Sequence, residues 1–302
     1  MAFPPTRRRR FSLAPGLGMA SPALLGLILF VAVPFLLAVG MSFFQLRLGS
    51  PHPPEWVGLR NYVRLWDDEA FRRALWNNAL FALVVVPLQT LLALGLALLL
   101  HQPLRGRTFF RTMVFLPVIF PMALVAVVWQ LIFAPEVTGL ANSLARILTF
   151  GTWETRDFLR DPNLALPAIM IMSIWQGCGF QMIILLAGRQ EIPEHLYEAA
   201  ALDGASTWQS FVHVTLPGLR NTLIFVVLVT TILAFRLFDQ VHILTQGGPQ
   251  DRTTTVMFEA VRAIYERGQV GRGSAMTVIF FLIVVSIALW QRRLLREEKE
   301  IA

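Results

Sequence analysis

The segment Glu191-Ile-Pro-Glu-His-Leu-Tyr-Glu-Ala-Ala-Ala-Leu-Asp-Gly-Ala-Ser-Thr-Trp-Gln-Ser-Phe-Val-His-Val-Thr-Leu-Pro217 is polar, yet long apolar stretches flank it on both sides. It does not read as a slack loop. Pro193 suits the first position of a helix. Glu194 follows in the first turn, where the helix dipole favours an acid. Leu196, Ala199 and Ala200 then share a face, and Asp203-Gly204 closes the helix, glycine being free to take the left-handed cap. Ser206 and Gln209 have capping-box spacing for a second helix. In that helix Trp208, Phe211, Val212 and Thr215 recur at i, i+3, i+4 and i+7. Pro217 leads away from it. The segment therefore predicts two short helices at a tight corner. Its three consecutive alanines form a narrow, smooth surface that another protein can approach closely. Glu198 stands at the start of that surface and calls for a cationic partner. An amphipathic helix resting on headgroups is the alternative, but such helices are rich in Lys and Arg. This segment carries Glu191, Glu194, Glu198 and Asp203, so a basic groove on a protein partner fits better.

Working outward, six stretches approach or exceed the roughly 20 apolar residues needed to cross a bilayer. They are Ala23–Phe44, Ala79–Leu100, Thr112–Ala134, Leu164–Gly188, Thr222–Leu244 and Ser274–Trp290. Helices are the only reading, because open sheet edges in lipid leave backbone groups unpaired. The 302 residues are 55% hydrophobic and 15% charged, against about a quarter charged in soluble domains. The expected organisation is an N-terminal segment 1–22, a six-span all-α membrane domain 23–290 containing the loop 189–220, and a tail 291–302. Pro34, Pro87, Pro117, Pro121 and Pro167 fall in these spans, and each removes a helix hydrogen bond. Either neighbours repair the loss, or bent helices line a path.

The net charge is +7. Its cations cluster at the ends of apolar blocks, as in Arg7–Arg10, Arg105–Arg111 and Arg292–Arg296. That is the placement of orientation signals and headgroup contacts rather than of a nucleic-acid surface. The dense Arg7–Arg10 cluster puts the N-terminus in the cytoplasm, and six spans return the C-terminus there. Arginines in the supposed outer loops, such as Arg60 and Arg72, make the total count a weak discriminator. The run after Arg10 is too long for a signal-peptide core, so it reads as a retained span. Cys178 is the single cysteine, which excludes an intrachain disulfide and a cysteine zinc site. His52, His101, His195, His213 and His242 have no ligand spacing, so no metal is expected. The only lysine, Lys299, lies in the charged tail and cannot serve a nucleotide-binding P-loop. Any ATP that drives this chain binds elsewhere.

Glu198-Ala-Ala-Ala-Leu-Asp-Gly204 followed by Leu216-Pro217 resembles the EAA loop of ABC importer permeases. Ile192-Pro-Glu-His-Leu-Tyr197 looks like the carbohydrate-uptake branch of that family, of the maltose and glycerol-3-phosphate importer type. The resemblance extends to Trp56-Val-Gly-Leu-Arg-Asn61, Phe115-Leu-Pro117, Pro121, Trp129, Gly139 and Asn142. It also covers Phe238-Asp239, Leu244-Thr-Gln-Gly-Gly-Pro249, Gly271 and Ser274-Ala275. Arg189 departs from it, standing where the family more often has an apolar residue. What the resemblance implies is a type I importer permease fold and a transport role without catalysis. It further implies a second homologous permease, a dimer of ATP-binding subunits and an extracytoplasmic solute-binding protein, in a bacterial inner membrane. ATP and Mg would be held by the partner, and no cofactor by this chain. Carried over, Glu198, Ala199, Ala200, Asp203, Gly204, Leu216 and Pro217 would form the ATPase-coupling surface, with Gly204 at its corner.

Within the spans, Arg236 and Asp239 are charged, and charges inside membranes are functional hypotheses by default. They either touch solute, or snorkel, or pair with each other. Trp175, Gln176 and Gln181 offer an aromatic face and amides, as sugar sites do, or simply bond between helices. Gly177 and Gly179 allow close helix packing. A gradient-driven transporter would favour acids in mid-membrane, and spans one to four carry none. An intramembrane protease needs a buried serine and histidine together, and no span has both. The solute could be an oligosaccharide, a monosaccharide, a polyol or a glycerol-phosphate derivative.

Overall fold

The computed structural model describes residues 13–136 and 139–294. The Arg7–Arg10 cluster, and the tail from residue 295 with Lys299, lie outside the described residues. Five helices are long and apolar enough to cross a membrane, and a bent pair supplies the sixth span. The spans are Met19–Met41, Glu69–His101, the pair Arg107–Ile119 with Met122–Ile132, Ala165–Gln190, Arg220–Leu244 and Val270–Arg293. Spans one to six below refer to these.

Span two begins ten residues before the expected Ala79. Its 33 residues make about 50 Å of helix at 1.5 Å per residue, well beyond a hydrocarbon core of about 30 Å. The polar extension is helical because Phe71, Ala74, Asn77 and Asn78 are buried against the rest of the fold, a pattern hydropathy does not register. Asp68 caps it, accepting from the Ala70 N–H at 3.2 Å. Asp68 also pairs with Arg272 at the start of span six.

Span three is not the single helix expected over 112–134. It breaks at Phe120-Pro121, and its halves diverge by 102°. Proline clashes with an α-conformation in the residue before it, and Phe120 is extended at φ −79°, ψ 139°. The other prolines bend less. Pro87 lies inside an uninterrupted helix, which corrects the expectation of a bend there. Pro34 follows a widened π-turn, Ile28–Ala32, which absorbs the missing N–H.

Span five is also interrupted. One helix, Arg220–Phe235, stops short of Arg236, and a second, Asp239–Leu244, restarts after Phe238. The break leaves carbonyls without helical partners. Asn78 donates to the Phe235 carbonyl at 3.4 Å, and the Thr255 hydroxyl donates to that of Leu237 at 2.8 Å. The other end of Asn78 accepts the Val256 N–H at 2.9 Å. Asn77 beside it donates to the carbonyls of Asp251 and Thr254. Two adjacent asparagines in span two thus hold the interruption and the loop that follows it.

Two apolar clusters form the core. The larger joins spans two, four, five and six around Phe71, Phe81, Ile169, Met172 and Met276. The smaller joins spans two and four at the end where the chain enters the 191–219 loop. Span four crosses the first half of span three so closely that a Cβ on Gly179 would lie 2.2 Å from the Val114 carbonyl oxygen. Span one packs mainly on span six, and none of its apolar residues is buried by this chain.

Candidate functional site

The 191–219 loop folds as two short helices, as its caps predict. The first runs Glu194–Leu202, with Pro193 at its N-cap, one position earlier than expected. Asp203 ends it, and Gly204 takes φ +72°. The Ala205 N–H reaches back to the Ala200 carbonyl at 2.9 Å. Ser206 and Gln209 complete the capping box in both directions. The second helix, Thr207–Ser210, widens into a π-turn over Phe211–Thr215 and continues through Leu216–Gly218. Pro217 does not break the chain away here, because the first turn of this last helix needs no proline N–H.

The loop is fixed to the membrane domain. Ile192 and Leu219 are buried in the smaller cluster, with Tyr197, Phe211 and Val214 packed against it. The Tyr197 hydroxyl meets that of Thr215 at 2.9 Å, tying the two helices together. The Arg189 guanidinium lies 4.0 Å from the Tyr197 ring centroid, a cation–π contact between the end of span four and the first helix. Arg189, the residue that departs from the family pattern, therefore has a place in this fold.

The outward face of the loop is bare. Glu198, Ala199, Asp203 and Gly204 are exposed, and Leu202 is 90% exposed. Leu216 and Pro217 are exposed at the far end. Rigid anchoring on one side and an uncovered acidic and alanine surface on the other suit a docking element.

A second feature lies at the interruption of span five. Gln176, Arg236 and Asp239 line one recess of about 280 Å³ together with Gln89, Thr230 and Gln240. Arg236 and Asp239 are exposed to it, and among the described residues no side-chain hydrogen bond or ion pair joins them to each other or to another residue, the Arg236 N–H donating to the Leu233 carbonyl at 3.1 Å. The pairing of the two, one of the expected alternatives, is thus not met. Helix ends explain how they are tolerated: Arg236 caps the C-terminus of one helix and Asp239 starts the next, each matching the local dipole. Gln176 reaches the Phe120 carbonyl at 3.5 Å, which links the recess to the break in span three.

The other two span residues are placed differently. Gln181 is buried and donates to the Thr230 hydroxyl, a bond between helices. Trp175 packs edge-on against Trp129, with ring centroids 5.5 Å apart, outside the recess lining. Gln89, Thr230 and Gln240 escaped the sequence reading. Single uncharged polar residues in apolar runs are common, and only the tertiary fold shows which of them converge. Among the described residues no group of His, Cys, Asp or Glu could hold a metal.

Residues 89–299 match the family described as the binding-protein-dependent transport system inner membrane component. The chain is 34% identical over 281 residues to the probable ABC transporter permease protein YurN of Bacillus subtilis, covering 92% of this chain and 95% of that one. It is 35% identical over 271 residues to the trehalose/maltose transport system permease protein MalF of Thermococcus litoralis, covering 90% of each. It is 32% identical over 278 residues to the sulfoquinovosyl glycerol transport system permease protein SmoG of Agrobacterium fabrum, covering 92% and 89%. Its fold superposes on a chain of a bacterial ABC transporter involved in import of the acidic polysaccharide alginate, with a TM-score of 0.82 and 22% identity over 95% of this chain and 97% of that one. The chain belongs to the binding-protein-dependent transport system inner membrane component family, as a multi-pass permease of the ABC type.

Proposed function

We propose that this chain is one of two permease subunits of an ATP-driven importer for a sugar or sugar-like solute. The observation that carries the coupling half of this reading is the 191–219 loop: anchored beneath spans two and four, and uncovered along Glu198, Ala199, Asp203 and Gly204. In this reading Glu198 meets a cation on the ATPase, and Ala199 and Ala200 seat the helix in its cleft. Gly204 makes the corner, and Leu216 and Pro217 lead the motion into span five. A rigid docked element transmits displacement without chemistry in this chain, so ATP and Mg sit on the partner. The N- and C-termini and the loop are then cytoplasmic, and a solute-binding protein delivers from the other side. The recess at Gln176, Arg236 and Asp239 is the proposed solute path, with Trp175 and Gln181 supporting its walls. Relatives named for trehalose and maltose, lactose, and sulfoquinovosyl glycerol support a carbohydrate-type solute.

The test is co-purification of the tagged chain in detergent with its ATPase and second permease. Wild type should retain the ATPase. Glu198→Lys should lose it while remaining in the membrane with the second permease. Retention by Glu198→Lys would remove Glu198 from the contact, and absence of any ATPase from the wild type would sink the coupling reading.

A further inference from the structure

The largest of the recesses described lies on the inner side of the same loop and has no role in ATPase docking as proposed. Its volume is about 660 Å³, and its surface is mostly apolar. The end of span two (Leu98, His101), the end of span four (Arg189) and the second loop helix (Trp208, Phe211) enclose it. Trp208 and Phe211 pack together with ring centroids 5.4 Å apart and planes tilted by 33°, and Trp208 remains 70% exposed.

Three features of the site point to its occupant. Charge divides sharply along the loop. All four acids, Glu191, Glu194, Glu198 and Asp203, precede the corner. The second helix and its π-turn, Thr207–Thr215, carry none and present aromatics instead. A cation stands in the lining of the recess, Arg189, together with His101 at the end of span two. Arg189 is held in place by its stack on Tyr197. Finally, the recess lies where spans two and four end, and Leu99, next to its lining residue Leu98, is exposed.

We propose that this recess binds one anionic phospholipid, its phosphate held by Arg189 and an acyl chain laid along Leu98, Phe211 and Trp208. Basic pockets at helix ends select anionic headgroups in this way, and arginine suits phosphate because its fork of donors matches the oxygens. A neutral lipid or a soluble anion satisfies only half of the site. The two helices of the loop then face two different partners: the acidic one a protein, the aromatic one the membrane.

Quenching of Trp208 tests this. The assembled complex is placed in nanodiscs containing brominated phosphatidylglycerol or brominated phosphatidylcholine, and the Trp208 signal is taken as the difference from Trp208→Phe. The expected result is saturable quenching by phosphatidylglycerol at a small mole fraction, with Arg189→Gln weakening it about tenfold, the loss of one charge-assisted contact. Equal quenching by both lipids would show only general annular contact and overturn the proposal. So would indifference to Arg189→Gln, or the absence of a Trp208 signal, which would mean that a protein partner fills the recess. Displacement by millimolar inorganic phosphate would assign the site to a soluble anion instead.

Discussion

Gly204 allows conformation and contact to be separated in one experiment. Its φ is +72°, a region L-residues enter at a cost of about 1–2 kcal/mol. Yet a Cβ built there meets nothing within 4 Å. Gly204→Ala therefore adds no clash inside this chain, and its whole effect is on the corner. If docking needs the corner as drawn, about 1 kcal/mol against it lowers apparent ATPase affinity about fivefold. Asparagine visits the left-handed region more readily. Gly204→Asn, though larger, should lie closer to wild type than Gly204→Ala. The assay is titration of purified ATPase onto the detergent-solubilised permease pair, with membrane yield as the control for folding. An affinity order of Gly, then Asn, then Ala supports the reasoning. If loss instead follows side-chain volume, Asn worse than Ala, then the partner's surface and not backbone strain explains the glycine, and the argument from φ is wrong.

Gly179→Leu places atoms where the Val114 carbonyl already lies 2.2 Å from a Cβ. Overpacking of this kind costs about 1–3 kcal/mol or more, so fluorescence-detected size exclusion after heating should show a lower midpoint, and an unchanged midpoint would contradict the close crossing of spans three and four. Asn78→Leu strands the buried Val256 N–H, which it binds at 2.9 Å. The penalty is about 1–3 kcal/mol, and the same heating assay should register it, whereas Asn→Leu at exposed Asn221 should not. Arg236→Gln and Asp239→Asn should each reduce solute uptake in vesicles while leaving ATPase retention intact. Normal uptake in both would remove the span-five recess from the solute path. Arg189→Leu removes the cation–π contact with Tyr197 and should weaken ATPase retention by a few-fold, since a half-buried contact of this kind contributes about 1 kcal/mol; unchanged retention would remove the contact from the loop's anchoring.

Local chemistry carries local structure, and the residues show where that stops. The two-helix loop was legible in the sequence because every device that shapes it is short-range. Pro193, the Ser206–Gln209 box and the Asp203-Gly204 stop act within a few residues, and apolar length marks the spans in the same way. Long-range geometry was not legible. Of five prolines with the same local effect, only Pro121 marks a turn of 102°, while Pro87 sits inside an uninterrupted helix. The interruption at Arg236–Phe238 carries no proline or glycine, and depends on Asn78 and Thr255 arriving from distant parts of the chain. Trp175, Gln176 and Gln181 looked alike in sequence, but one faces Trp129, one the recess and one Thr230. A side chain's type and helical phase follow from its neighbours in the chain. Whether it meets a partner, a cavity or lipid depends on how whole helices cross, and that depends on burial summed over residues hundreds of positions apart.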